Sequence, residues 1–151
     1  TFLVTMNLSR KHKENKMKKS LIALTASAAF VALGVGTVLA DNHNDTYWKN
    51  EYRVWSPNDH TPVRTKTNTT SYYNKTYTLT GGKYIWIWAA LFDGRDASGG
   101  HKYQSFADGR SQFLWNNAVE NHGTNINVRI DSQAWINGNA QGAWSPDSVG
   151  G

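Results

Sequence analysis

After residue 46 the apolar and β-branched residues come in short runs, such as Val54-Trp55 and the nine residues 84–92, each stopped by Gly, Asn, Asp, Ser or Pro. No segment there carries an apolar stripe at helical spacing for more than two turns. A chain punctuated in this way folds by pairing short strands. The pattern predicts an all-β domain, a small antiparallel β-sandwich or barrel of about seven or eight short strands.

The first strand is expected at 52–55, stopped by Ser56-Pro57-Asn58-Asp59, and the next two at 63–67 and 71–79. Residues 84–92 have no polar face and read as a central strand covered on both sides. Alternation puts Trp86 and Trp88 on one face with Tyr84, and Ile85 and Ile87 on the other; these two Trp and two Ile are assigned to the core. Residues 102–107 and 111–115 read as a hairpin around Asp108-Gly109. Residues 116–120 fit no single pattern. Residues 125–131 alternate cleanly, 134–136 read as a strand end or a short strand, Asn137-Gly138-Asn139 as a turn, and Ala143-Trp144 as the last strand residues. Trp55-Ser56-Pro57-Asn58-Asp59 is echoed by Trp144-Ser145-Pro146-Asp147, either as two equivalent strand exits or as ordinary turn chemistry arising twice.

The net charge of +5 belongs to the first forty residues, which hold six basic groups and one acid, Glu14. Residues 41–151 hold ten basic and ten acidic groups and are neutral. The leader has the zones of a secretory signal: basic residues ending at Lys18-Lys19, an uncharged apolar stretch at 21–39, and Val38-Leu39-Ala40 before Asp41. Cleavage between Ala40 and Asp41 is the expectation, and a start at Met17 would make residues 1–16 an upstream over-translation. The rival is an uncleaved anchor, since the stretch approaches the roughly 20 residues that span a bilayer. Its richness in Ala, Gly and Thr and the missing stop-transfer cluster favour cleavage. The expected product is a secreted, extracellular domain of residues 41–151, touching membrane only through the leader. With no net positive charge it is not expected to bind nucleic acid. Cysteine is absent, so there is no disulfide, thiol nucleophile or thiolate metal site, and stability must come from the apolar core.

No catalytic set emerges. His43, His60, His101 and His122 follow no zinc spacing, and H-E-x-x-H, G-x-S-x-G and Walker patterns are missing. No catalytic residue is assigned, and the chain is read as a non-enzyme. An extracellular glycan hydrolase, the remaining alternative, would use Glu120, an acid beside Val119 and near Trp115, or a loop Asp, and a lone acid falls short of the paired carboxylates of glycoside hydrolysis. The one cofactor candidate is calcium, on Asp93, Asp96 and Ser98 of a Gly-rich loop, whose spacing is not that of an EF-hand. All seven Trp and all seven Tyr lie after residue 46. Most of the Trp are assigned to the core. Tyr47, Trp48, Tyr72 and Tyr73, set among polar neighbours, are the candidate ligand-binding surface, for a cell-wall glycan or a surface protein.

The Met17-Lys18-Lys19 signal, the Thr/Tyr/Asn strands and the closing Gly142-Ala143-Trp144-Ser145-Pro146-Asp147-Ser148 resemble a family of small exported Gram-positive proteins of unknown function. That resemblance implies secretion and a small β domain, and supplies no activity. A fainter similarity is to lactococcin-972-type bacteriocins, whose Gly-Thr-Trp opening is replaced here by Asp45-Thr46-Tyr47-Trp48. It implies a secreted toxin as the alternative to a binding module.

Overall fold

In a computed structural model of the chain, residues 42–149 are described. They lie in a compact unit spanning Leu39–Gly151. The leader and the expected cleavage point between Ala40 and Asp41 lie outside the described residues. The described elements are strands β1 (Thr46–Tyr52), β2 (Asn58–His60), β3 (Arg64–Lys66), β4 (Tyr72–Leu79), β5 (Ile85–Leu91), β6 (Tyr103–Ser105), β7 (Ser111–Leu114), β8 (Ile126–Gln133) and β9 (Gly138–Ser145). Helix α1 (Ala118–His122) precedes β8.

The strands form two antiparallel sheets. Sheet I has the order β1-β9-β4-β7; sheet II has β2-β8-β5-β6, with β3 also on β8. β2 and β3 together make one interrupted edge, pairing 131–133 and 126–128 of β8. In the interruption the Thr61 hydroxyl accepts from Ile130 N–H at 2.9 Å, standing in for a ladder carbonyl.

Alternation along the strands turns one face of each sheet inward. Trp48, Tyr52, Tyr72 and Trp144 of sheet I share one core with Ile85, Ile87, Leu91, Val128 and Ile130 of sheet II. Among the described residues all core members fall between Trp48 and Trp144. The buried hydroxyls are satisfied across the layer: Tyr72 donates to Ala90 O at 3.2 Å and Tyr52 to Ser132 Oγ at 2.7 Å. At the opposite edge Asn74 Nδ2 and Thr76 Oγ1 meet Ser105 Oγ at 3.3 and 2.7 Å, joining β4 to β6.

Beyond β9 the chain is locked in place. Lys66 and Asp147 are fully buried, 3.1 Å apart, and Lys66 Nζ also donates to Pro146 O at 2.7 Å. Asp147 accepts from Thr67 N–H and Thr67 Oγ1 at 3.1 and 2.7 Å, and from Asn42 N–H at 3.2 Å. The Arg64 guanidinium reaches Asn44 O and Asn42 Oδ1. By polarity alone residues 41–45 read as a frayed tail; Asn42 and Asn44 are docked instead, by partners that lie elsewhere in the sequence.

The structure moves several expected elements. The first strand is 46–52, and the aromatic segment 52–55 ends in a turn closed by Arg53 and Ser56. Residues 103–105 and 111–114 are not a hairpin: β6 pairs β5 and β7 pairs β4, so the Asp108-Gly109 turn carries the chain from one sheet to the other. β5 is not covered on both sides. Ile85 and Ile87 are buried, while Trp86 is 36% exposed and Trp88 only partly covered. Gly138 and Asn139, which read with Asn137 as a turn, open β9, the strand between β1 and β4, which begins well before the expected Ala143-Trp144.

Candidate functional site

The outer face of sheet II is built by the register of four strands. Asn58, Gln133, Trp86 and Gln104 are successive partners and form one row across the sheet. His60, Asp131 and Trp88 form the next row. Lys102, just before β6, puts its Nζ 4.3 Å from the centroid of the Trp88 ring. Gln133 Nε2 donates to Asn58 Oδ1 at 3.0 Å, which aligns the amides beside Trp86. Toward one end of β5 Tyr84 sits edge-on to Trp86, ring centroids 5.7 Å apart, and 5.6 Å from Phe106.

Charge on this face is largely cancelled. Arg129 Nε donates to Asp131 Oδ1 at 2.6 Å, and the pair is mostly covered. The rings and amides thus make a strip with hydrogen-bonding capacity, on which Lys102 over Trp88 is a further cation. The strip runs into a cleft of about 360 Å³ lined by Gln104, Phe106, Asp108, Arg110, Ser111 and Gln112. Gln104 and Phe106 belong to both, so strip and cleft are one continuous surface. Gln112 Nε2 donates to Gln104 O at 2.8 Å across the gap between β7 and β6, which holds the two sheets together there. Indole faces that stack on flat apolar rings, beside amides that both donate and accept, are suited to a neutral, hydroxyl-rich ligand.

The residues expected to bind ligand have other places. Trp48 and Tyr72 are core residues, which corrects their assignment to the surface. Tyr72 packs 6.1 Å from Trp144, and burial, with Asp147 and Glu120 adding to it, pushes its hydroxyl far above the ordinary phenol value. Both follow from alternation: a Trp or Tyr among polar neighbours in a strand is the residue turned inward. Tyr47 and Tyr73 do lie on the outer face of sheet I. Tyr47 is opposite Ala143 and Tyr73 opposite Ser145, so they flank β9 from its two sides. Tyr47 donates its hydroxyl to Gln141 Oε1. Tyr73 packs on Phe113 and lines a cleft of about 170 Å³ with His43, Asp45 and Val149.

The loop expected to hold calcium has its acids engaged in turn bonds. Asp93 Oδ2 accepts from Arg95 Nε at 2.8 Å. Asp96 Oδ1 accepts from Ser98 N–H and Oγ at 3.1 and 2.6 Å, and Oδ2 from Gly100 N–H at 3.2 Å. Burial works to raise both carboxyls, and these hydrogen bonds outweigh it and hold them below the usual carboxylate value. Among the described residues no group of three or more His, Asp or Glu is placed to hold a metal ion. Glu120 is exposed on α1 rather than set in an apolar pocket, which removes the reason for singling it out.

Sequence reasoning missed Trp86 and Trp88 by assigning them to the core. The signal was present: Tyr84, Trp86 and Trp88 alternate with Ile85 and Ile87. Residues with a polar tip on one side and pure aliphatics on the other mark a half-buried strand, and the aliphatic side is the core.

The chain matches a family described as protein of unknown function (DUF2712) over residues 36–148. No curated protein and no solved structure matches the chain. The lactococcin-972 similarity finds no support among these comparisons.

Proposed function

For this chain, which belongs to the DUF2712 family of proteins of unknown function, we propose the role of an exported, non-catalytic module that binds a neutral polysaccharide on the outer face of sheet II. The observation that carries it is the row Asn58–Gln133–Trp86–Gln104 beside Trp88, continuous with the 360 Å³ cleft at the β6–β7 edge. The stacking rings supply area at little cost in side-chain entropy, and the aligned amides supply direction. The neutrality of residues 41–151 fits an uncharged chain of sugars better than a polyanion. The leader supports delivery to the outside, where wall and capsular glycans are the abundant polymers of this chemistry.

The test is retention of residues 41–151 on purified wall and on soluble neutral glycans, read by affinity electrophoresis with and without calcium. Saturable retention is expected in both conditions. Trp86→Ala and Trp88→Ala should each weaken it about tenfold, equivalent to about 1.4 kcal/mol. Trp48→Ala and Tyr72→Ala are unsuitable probes, because both cut into the core. Absence of retention on every glycan, or retention indifferent to Trp86 and Trp88, refutes the reading.

A further inference from the structure

Three turns meet at one end of the sandwich. The β1–β2 turn is closed by Arg53 N–H to Ser56 O at 3.1 Å and Ser56 N–H to Arg53 O at 2.9 Å, which leaves Val54 and Trp55 at its tip. Val54 N–H points to Asn137 Oδ1 at 3.4 Å, and Ala134 N–H donates to Pro57 O at 2.9 Å, so the β8–β9 turn lies alongside. The β4–β5 turn abuts the same residues: a Cβ built on Gly82 would sit 3.0 Å from Ile136 Cγ2.

Tips of this kind ordinarily hold Gly, Asn, Asp or Ser. Here Trp55 is 80% exposed, Trp135 67% and Val54 50%. Side chains so exposed add little to the core, and an apolar cluster of this size at one end marks a contact surface. Residues 53–57, 80–84 and 134–138 include Arg53 and Lys83 and no acid. Arg53 donates to Tyr52 O at 2.7 Å and faces Glu51, the nearest acid in sequence, at 4.0 Å. Neither cleft described above includes Val54, Trp55 or Trp135; these side chains project from turn tips rather than line a groove. Projecting indoles flanked by cations match the headgroup layer of a bilayer, where Trp settles at the interface and Lys and Arg meet anionic lipid.

We propose that this end of the domain docks on the surface of an anionic lipid bilayer, with Val54, Trp55 and Trp135 in the headgroup layer and Arg53 and Lys83 against phosphate. This adds a membrane contact of the folded domain to that expected of the leader. It stands independently of the glycan reading, because Trp86 and Trp88 take no part in it.

The test is co-sedimentation of residues 41–151, which hold every core residue among those described, with vesicles of phosphatidylglycerol and phosphatidylethanolamine, and with vesicles of phosphatidylcholine alone. Binding to the first set is expected, weaker binding to the second, and a decline as salt is raised. Trp55→Ser combined with Trp135→Ser should lower partitioning at least about tenfold. Arg53→Gln with Lys83→Gln should remove the preference for phosphatidylglycerol. All four positions are outside the core, and an unchanged melting temperature verifies that the variants fold. Trp86→Ala with Trp88→Ala should leave vesicle binding intact even where glycan retention is lost. No binding to phosphatidylglycerol vesicles, or binding unaffected by the Trp55/Trp135 pair, overturns the proposal. Retention on protoplasts that depends on Trp55 without any vesicle binding also overturns it, in favour of a protein partner.

Discussion

Replacing Asp147 by Ala is expected to remove about 3–5 kcal/mol of folding free energy, the cost of leaving a buried charge without its counter-charge. Domains of this size hold about 5–15 kcal/mol in all, so the variant should lie near the edge of folding. Lys66 is fully buried and faces Asp147 Oδ1 at 3.1 Å, with the Tyr72 ring centroid 5.2 Å away. Its ammonium cannot swing to water without opening the strand edge that β3 makes on β8. The loss reaches further than the ion pair, because Thr67 N–H, Thr67 Oγ1 and Asn42 N–H all donate to the same carboxylate. Lys66→Met should cost less, since Asp147 would keep those donors. Chemical denaturation of both single variants and of Lys66→Met combined with Asp147→Ala would close the cycle, with an expected coupling of at least about 1 kcal/mol. Equal stability of wild type and Asp147→Ala would show that the lock does not form.

The same residue gives the domain a pH dependence of known sign. Burial works to raise the Asp147 carboxyl, but the Thr67 hydroxyl and N–H and the Lys66 ammonium outweigh it and hold it below the usual carboxylate value. A pKa lower in the folded than in the unfolded chain means that the unfolded chain takes up the proton first as pH falls. The contribution of Asp147 is therefore complete above the unfolded carboxylate range and is lost as pH drops through the folded value. Acid unfolding followed by far-ultraviolet circular dichroism should show a shallower pH dependence in Asp147→Asn than in wild type. Asp93 and Asp108 are also lowered, yet both sit on exposed turns next to Arg95 and Arg110, where solvent screening leaves little of the effect.

The division between what could and could not be read from the chain follows the range of the forces involved. Local alternation marked 71–79 and 125–131 to within a residue or two of β4 and β8, because one buried face writes itself into the strand. Pairing is not local. The Asp108-Gly109 turn looked like the centre of a hairpin, and nothing in residues 102–115 says that the two arms join different sheets. β9 was half invisible, since glycine, which carries no strand signal, is demanded at Gly138 by Thr80 and at Gly142 by Lys75 O and Trp48. The repeated Trp-Ser-Pro shows the same limit: Trp55 stands on an exposed tip and Trp144 is fully buried, so the two copies are not equivalent positions. For the candidate site the strand was identified and its faces were separated correctly. The error was to bury both faces, and the polar amides that complete the outer one arrive from β2, β6 and β8.

Gly142→Ala should show the second large loss, about 1–3 kcal/mol from overpacking. Gly142 is opposite Trp48 on one side and Thr76 on the other, in the strand that β1 and β4 flank. A Cβ there would stand 2.1 Å from Lys75 O and 2.8 Å from Trp48 Cζ2. The carbonyl belongs to the backbone of β4 and has little freedom to move, and the Trp48 ring, 2% exposed, has no solvent side to turn toward. Where space allows, Gly to Ala stabilises by about 0.4–1 kcal/mol through the unfolded chain, so the sign of the change decides the matter. A rise in melting temperature would mean that Trp48 does not lie over Gly142. A fall partly relieved by adding Trp48→Leu would locate one clash at the ring and leave the other at Lys75 O. The closing segment Gly142-Ala143-Trp144-Ser145-Pro146-Asp147 then has a physical account: Gly142 makes room for Trp48, Trp144 fills the core, and Asp147 neutralises Lys66. These are duties to the fold. A resemblance carried by that segment therefore transmits architecture and stability, while the glycan binding proposed above would rest on Trp86, Trp88 and the amides around them.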